Sequence, residues 1–305
     1  MKRFNHFMLL AAFGAAVAAA PAQSTNSAAG VVAPGAKLEE LAGDLKFGEG
    51  PSCDAAGNVF FTDQPNDRIL KWSVDGKLST FKQPAGRANG TYFAPDGSLI
   101  ACADEKNQLW SLAPDGKVTV LVTDYHGQRL NGPNDVWVRP DGGMYLTDPF
   151  YKRTWWDHTN QPQETEQVYF LSPGHKTLTR VTSDLVKPNG IIGTPDGKTL
   201  FVADIQADRT YAYEIQPDGA LAGKRLVCEK GSDGMTLDDE GNLYLSGRGI
   251  FVFDRAGRQI EHIDVPERWC GNVCFGGKDK RTLFITASKG FYAIRMRVKG
   301  ANPAK

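Results

Sequence analysis

Six residues able to offer an oxygen to a hard cation stand at the same phase of six repeated segments: Glu49, Asn89, Asn134, Asn189, Asp233 and Asn272. In five of the segments a glycine follows eight residues later, as in Glu49-Gly-Pro-Ser-Cys-Asp-Ala-Ala-Gly57 and Asn189-Gly-Ile-Ile-Gly-Thr-Pro-Asp-Gly197. The sixth keeps the register but ends on Lys280. A circular repeat protein brings equivalent positions to one axis, and here that makes a ring of oxygen donors. Glu49 and Asp233 supply charge, and Asn134 and Asn189 supply amide carbonyls. Ca²⁺ accepts such a mixed set together with waters. Zinc prefers His or Cys, which this phase lacks. Ca²⁺ is therefore the first expectation, with Mg²⁺, Mn²⁺ and Zn²⁺ as alternatives. Any one Asn-Gly or Asp-Gly pair is ordinary turn material. The common register is what argues for a site.

The elements that must carry these residues repeat with them. After each turn comes a second apolar run, such as Val59-Phe60-Phe61, Met144-Tyr145-Leu146 or Leu243-Tyr244-Leu245. A third follows, such as Ile69-Leu70-Lys71-Trp72 or Phe251-Val252-Phe253, and then a fourth, such as Val118-Thr119-Val120-Leu121. Short runs between Gly, Pro and Asp punctuation read as strands. Four strands per repeat predict an all-β, six-bladed β-propeller with four-stranded blades. The sixth repeat has only three such runs. Leu38-Glu-Glu-Leu41 precedes Glu49 at the offset at which Leu178-Thr-Arg-Val181 precedes Asn189. The N-terminal strand is thus expected to close the last blade and remove an open edge.

Lys2 and Arg3 precede an apolar stretch from Phe7 to Ala20 and an Ala20-Pro21-Ala22 cleavage pattern. Residues 1–22 read as a secretory signal peptide, residues 23–36 as a flexible leader, and 37–300 as a single propeller domain. Export to the periplasm or medium is expected. Lys+Arg and Asp+Glu balance at 35 each over the whole chain, and loss of Lys2 and Arg3 tips the mature chain slightly acidic. No nucleic-acid partner is favoured, and no membrane association once the signal is removed. Five cysteines without a C-x-x-C pair argue against zinc or redox chemistry, and an odd count leaves at least one free thiol.

Glu49-Gly-Pro, Gly132-Pro-Asn134-Asp135, Pro188-Asn189-Gly190 and Ser232-Asp233-Gly234 resemble, in order, the metal-site motifs of the SMP-30/gluconolactonase/LRE family of six-bladed propellers. Arg129-Leu-Asn-Gly-Pro-Asn-Asp-Val136 with Thr147-Asp-Pro-Phe150 is similar to its gluconolactonase branch. The resemblance spans about Lys37 to Val298. It implies a Ca²⁺-type ion held by Glu49, Asn134, Asn189 and Asp233, and hydrolysis of a sugar lactone as the activity. Animal members carry an Arg where this chain has Gly132, a departure that bears on substrate recognition.

In such a reaction the cation polarises the lactone carbonyl and a carboxylate accepts water's proton. Asp233 is the expected base and ligand together, and Glu49 a pure ligand. Asn89 and Asn272, with Asn134, are expected to orient substrate or water. The segment Tyr151 to Gln167 departs furthest from the blade pattern. Its Trp155 or Trp156 could stack on a sugar ring, and Lys152, Arg153 or His158 could meet substrate oxygens. The competing expectation is a loop pinned by its own aromatics. No G-x-S-x-G elbow supports a serine hydrolase. Two other readings stand beside the lactonase: a non-catalytic glycan- or protein-binding propeller with a structural ion, and a phosphotriesterase-type hydrolase.

Overall fold

The computed structural model describes Met1 and residues 30–301. The expected signal peptide lies, Met1 apart, outside the described residues. The remainder forms six four-stranded sheets; in five the four strands follow one another in sequence, and in the sixth three consecutive strands are completed by one from the N-terminal side. The innermost strands are Gly48–Cys53, Ala88–Phe93, Val136–Val138, Pro188–Gly193, Met235–Leu237 and Cys270–Gly276. Together they make the six-bladed propeller read from the repeats. Apart from strands, the described residues hold a two-residue hairpin before blade three and one short 3₁₀ turn, Gln64–Asn66, with no α-helix.

The ring closes as expected. Glu39–Ala42 pairs antiparallel with Gly290–Arg295 in the sixth sheet, with Glu39 opposite Ala293. Residues 30–36, read from sequence as part of a flexible leader, are also laid against this blade. Val31 is 2% exposed among Tyr244, Val252 and Ile285. Arg297 donates through its backbone N to Val31 O at 2.9 Å, and Val32 bridges Met296. Residues expected in the leader thus contact the sixth blade.

The recurrent turn glycines do what their spacing suggested. Gly57, Gly97, Gly142, Gly197 and Gly241 all have positive φ, between 70° and 98°. In the sixth blade Lys280 takes the same conformation, at φ 57°. The apolar core is divided into clusters wedged between neighbouring blades, as where Ile100, Leu109, Val136 and Tyr169 meet between blades two and three. Burial of these wedges fixes each blade's angle to the next, and so the position of its inner strand on the channel. All five cysteines are free thiols, with only Cys53 half-exposed.

Candidate active site at one end of the central channel

The ring position is irregular in every blade. Strand pairing slips between Glu49 and Ser52, Ala88 and Thr91, Pro188 and Ile191, and Cys270 and Asn272. In blades three and five the pairing begins only at Val136 and Met235, just beyond Asn134 and Asp233. Such irregularities re-aim a side chain out of the sheet alternation. The residue after the donor is then pressed against the next blade. A methyl on Gly50 would stand 2.1 Å from the Asn89 carbonyl oxygen, and one on Gly234 1.9 Å from Asn272 Cγ. The X-Gly pairs are thus contacts between successive inner strands rather than turns. Blade three carries Asp135 instead of glycine, and its carboxylate occupies the channel, where Asn272 Nδ2 donates to Oδ2 at 3.4 Å.

Asn189 and Asp233 form the centre of the site. Asn189 is 2% exposed, and its Nδ2 donates to Asp233 Oδ1 at 2.8 Å and to the Tyr151 hydroxyl at 2.9 Å. Its Oδ1 is buried with no partner. Asp233 Oδ2 accepts from Trp269 Nε1 at 2.6 Å. Glu49, 3% exposed, accepts from the Gly50 N–H through Oε2 at 3.1 Å. Burial first, and then the Asp233 carboxylate, push the Glu49 carboxyl well above the usual range. Burial also raises Asp233, opposed by its bonds from Trp269 and Asn189 and by the Arg153 charge. Two carboxylates confined together and an orphaned amide oxygen are a poor arrangement by themselves. A divalent cation would satisfy such groups, so the residue types present fit one. Among the described residues no cluster of three or more His, Cys, Asp or Glu is arranged for a metal. The set here is two carboxylates with amides, which favours hard ions over zinc.

The other expected residues divide. Asn134 is 5% exposed at the ring phase of blade three, its carbonyl accepting from the Gly90 N–H at 2.7 Å. Asn89 is 4% exposed in the equivalent place on blade two. Asn272 turns inward to Asp135, and its Oδ1 accepts from the Val273 N–H at 2.7 Å. Beyond Asp135 and Asn272 the channel opens into a cavity of about 520 Å³ walled by Phe93, Val138, Ile192 and Leu237. Its walls also carry Ser52, Asp54, Thr91, Arg139, Thr236 and Lys280.

A set of aspartates that the sequence reading did not single out holds the entry to three of the inner strands. Asp63 accepts from the amides of Lys46 and Phe47, Asp148 from Asn131 and Gly132, and Asp204 from Val186 and Lys187. Each stands at the end of a second strand and is at most 2% exposed. Their recurrence after the second apolar run was the available signal. Blade two differs. Asp67 takes the Ala85 and Arg87 amides there, which frees Asp104 for the loop of blade three. Arg153 Nε donates to Asp104 Oδ2 at 3.0 Å and Trp156 Nε1 to its carbonyl at 2.6 Å.

That loop is pinned by its aromatics. Trp156 packs over Gly132, where a methyl would lie 2.8 Å from the ring, and stacks on His158 with centroids 4.9 Å apart. His158 Nδ1 faces Asp157 at 3.1 Å and Arg129 at 2.8 Å. Arg87 and Arg153 lie over Trp155, 4.8 and 5.5 Å from its ring centre. Trp155 and His158, expected to meet substrate, find these contacts in the loop, in blade two and at Arg129. Tyr151 and Trp269 are instead the aromatic residues that touch the Asn189–Asp233 pair. Neither was singled out, because each is brought there by a connection outside the repeat.

The profile of the SMP-30/Gluconolactonase/LRE-like region matches residues 47–289. The chain belongs to the SMP-30/gluconolactonase/LRE family. A gluconolactonase of Zymomonas mobilis is 30% identical to it, with 86% of this chain and 82% of the relative covered. A regucalcin of Oryctolagus cuniculus is 25% identical over 79% of this chain and 83% of its own. A solved gluconolactonase structure from Xanthomonas campestris superposes with a TM-score of 0.81 at 28% identity, covering 87% and 91% of the two chains. No helix among the described residues is long and apolar enough to cross a membrane.

Proposed function

We propose that this protein hydrolyses a sugar lactone, with a divalent cation, Ca²⁺ first, held by Glu49, Asn134, Asn189 and Asp233. The observation that carries the reading is Asn189: its nitrogen is committed to Asp233 while its oxygen is buried and unpartnered. The gluconolactonase relatives supply the substrate class. When bound, the cation would polarise the lactone carbonyl and stabilise the negative charge that develops on its oxygen. Asp233 accepts the proton of the attacking water. Trp269 and Asn189, one on each Asp233 oxygen, fix the plane of that carboxylate. Asn89 lies on the same ring and positions substrate oxygens. The blade-three loop, tied to Asp104 through Arg153 and Trp156, limits access of bulk water.

The N-terminal charge and apolar pattern support export to the periplasm or medium, which N-terminal sequencing of the mature protein tests. For the activity, proton release from D-glucono-1,5-lactone is followed before and after EDTA, with single metals added back. Opening above the spontaneous rate, lost with chelator and restored by one divalent ion, is the expected result. A folded, cation-binding protein inactive on a panel of aldonolactones would overturn the reading in favour of a binding propeller.

A further inference from the structure

Lactone opening needs more than a base, because the ring oxygen leaves as a strongly basic alkoxide and must be met by a proton donor. We propose that the Tyr151 hydroxyl is that donor, an inference that rests on the lactonase reading above. Tyr151 opens the blade-three loop, just beyond the strand Met144–Asp148. One amide nitrogen, Asn189 Nδ2, reaches both its hydroxyl oxygen at 2.9 Å and Asp233 Oδ1 at 2.8 Å. The phenol therefore sits beside the base. Because it accepts that bond, its own hydrogen is left for another partner. The ring cannot easily swing away. Lys187 Nζ lies 4.8 Å and Arg153 Cζ 5.3 Å from its centre. Both cations are themselves anchored, Lys187 on Glu166 at 2.9 Å and Arg153 on Asp104 at 3.0 Å. A side chain kept only to fill the loop would not require its hydroxyl to share a nitrogen with Asp233.

The step balances without any co-reactant. The water oxygen bonds to the carbonyl carbon and gives a proton to Asp233. The ring C–O bond breaks, and the departing oxygen takes the Tyr151 proton to become a hydroxyl. Tyr151 regains a proton from solvent and Asp233 returns its own, leaving the open hydroxy acid and an unchanged enzyme.

The test compares leaving groups in Tyr151→Phe. D-glucono-1,5-lactone expels an alkoxide. Dihydrocoumarin and phenyl acetate expel a phenolate, whose conjugate acid, like that of tyrosine, has a pKa near 10 and needs little help. Expected is a fall in kcat of about 10²-fold on gluconolactone, with loss below about threefold on the phenolate substrates. The melting temperature and its rise with Ca²⁺ are expected to match the wild type. Equal losses on both classes, no loss on either, or disappearance of the Ca²⁺ response would each overturn the assignment; the last would make Tyr151 a positioning residue for Asn189. A wild type inactive on every substrate would instead sink the lactonase reading, and this inference with it.

Discussion

Trp269 Nε1 donates to Asp233 Oδ2 at 2.6 Å, so the indole of blade six fixes a carboxylate carried by blade five. The other Asp233 oxygen is held from blade four by Asn189. Three consecutive blades therefore determine how one carboxylate is aimed. A shared site of this kind depends on the blades keeping their relative angles, which the wedge-shaped cores provide.

Trp269→Phe keeps the ring and deletes the donor. A hydrogen bond to a charged group contributes about 1.5–3 kcal/mol, so kcat for lactone opening is expected to fall by roughly 10- to 100-fold. KM should change little if the bond acts on the base alone. Steady-state kinetics on an aldonolactone check this. A rise in KM with kcat unchanged would mean that Trp269 contacts substrate instead.

Glu49 and Asp233 repel each other in a buried setting, and a cation bound there would relieve that repulsion. Glu49→Gln is therefore expected to melt at or above the wild type in EDTA. With Ca²⁺ at a hundredfold excess over Kd, the wild type should gain about 2.7 kcal/mol, seen as a rise in Tm, and the variant little or nothing. Calorimetric scans with and without metal give both quantities. Equal Ca²⁺ responses would remove Glu49 from the ligand set.

The fold was legible because its signals are local and repeated. A glycine at positive φ every blade, and apolar runs between, announce strands wherever they occur. The common phase of the six polar residues on the inner strands was legible for the same reason. The partners that finish the site were not. Tyr151 comes from the longest insertion and Trp269 from the link into blade six, where no repeat indicates which way a side chain faces. Asn272 kept the register yet turned to Asp135, because blade three has a carboxylate where its neighbours have glycine. Val31, placed by composition in the leader, is buried against the last blades, since composition averaged over a segment hides one residue that finds a pocket.

Burial pushes the Asp104 carboxyl up to about 6, against the opposing Arg153 charge. The folded state thus holds its proton to higher pH than the unfolded chain, whose carboxyl titrates near 3.8. Wild-type stability from this group is full below that lower value and is lost as pH rises through about 6. The loss is on the order of 3 kcal/mol. Asp104→Asn removes this dependence while leaving Arg153 without its partner, which offsets the whole curve. The difference in Tm, variant minus wild type, should therefore climb between pH 4 and 6 and level off above. Thermal melts across that range measure it, and a flat difference would mean that Asp104 stays ionised beside Arg153.

Val31 is the sharpest probe of where the folded chain begins. It lies 2% exposed against blades five and six, with the Arg297 amide bound to its carbonyl. Val31→Ala removes two buried methyl-sized groups and should cost about 1–2 kcal/mol. Val31→Asp places an unpaired carboxylate in the same apolar wedge, and the cost should reach about 3 kcal/mol or more near neutral pH. Protonation of that aspartate repays part of the cost, so the two variants should converge as pH falls below 5. Urea titrations at pH 7.5 and 4.5 make the comparison. If both variants unfold with the wild type at either pH, the segment contributes nothing to the sixth blade, and the domain begins with the closing strand Glu39–Ala42.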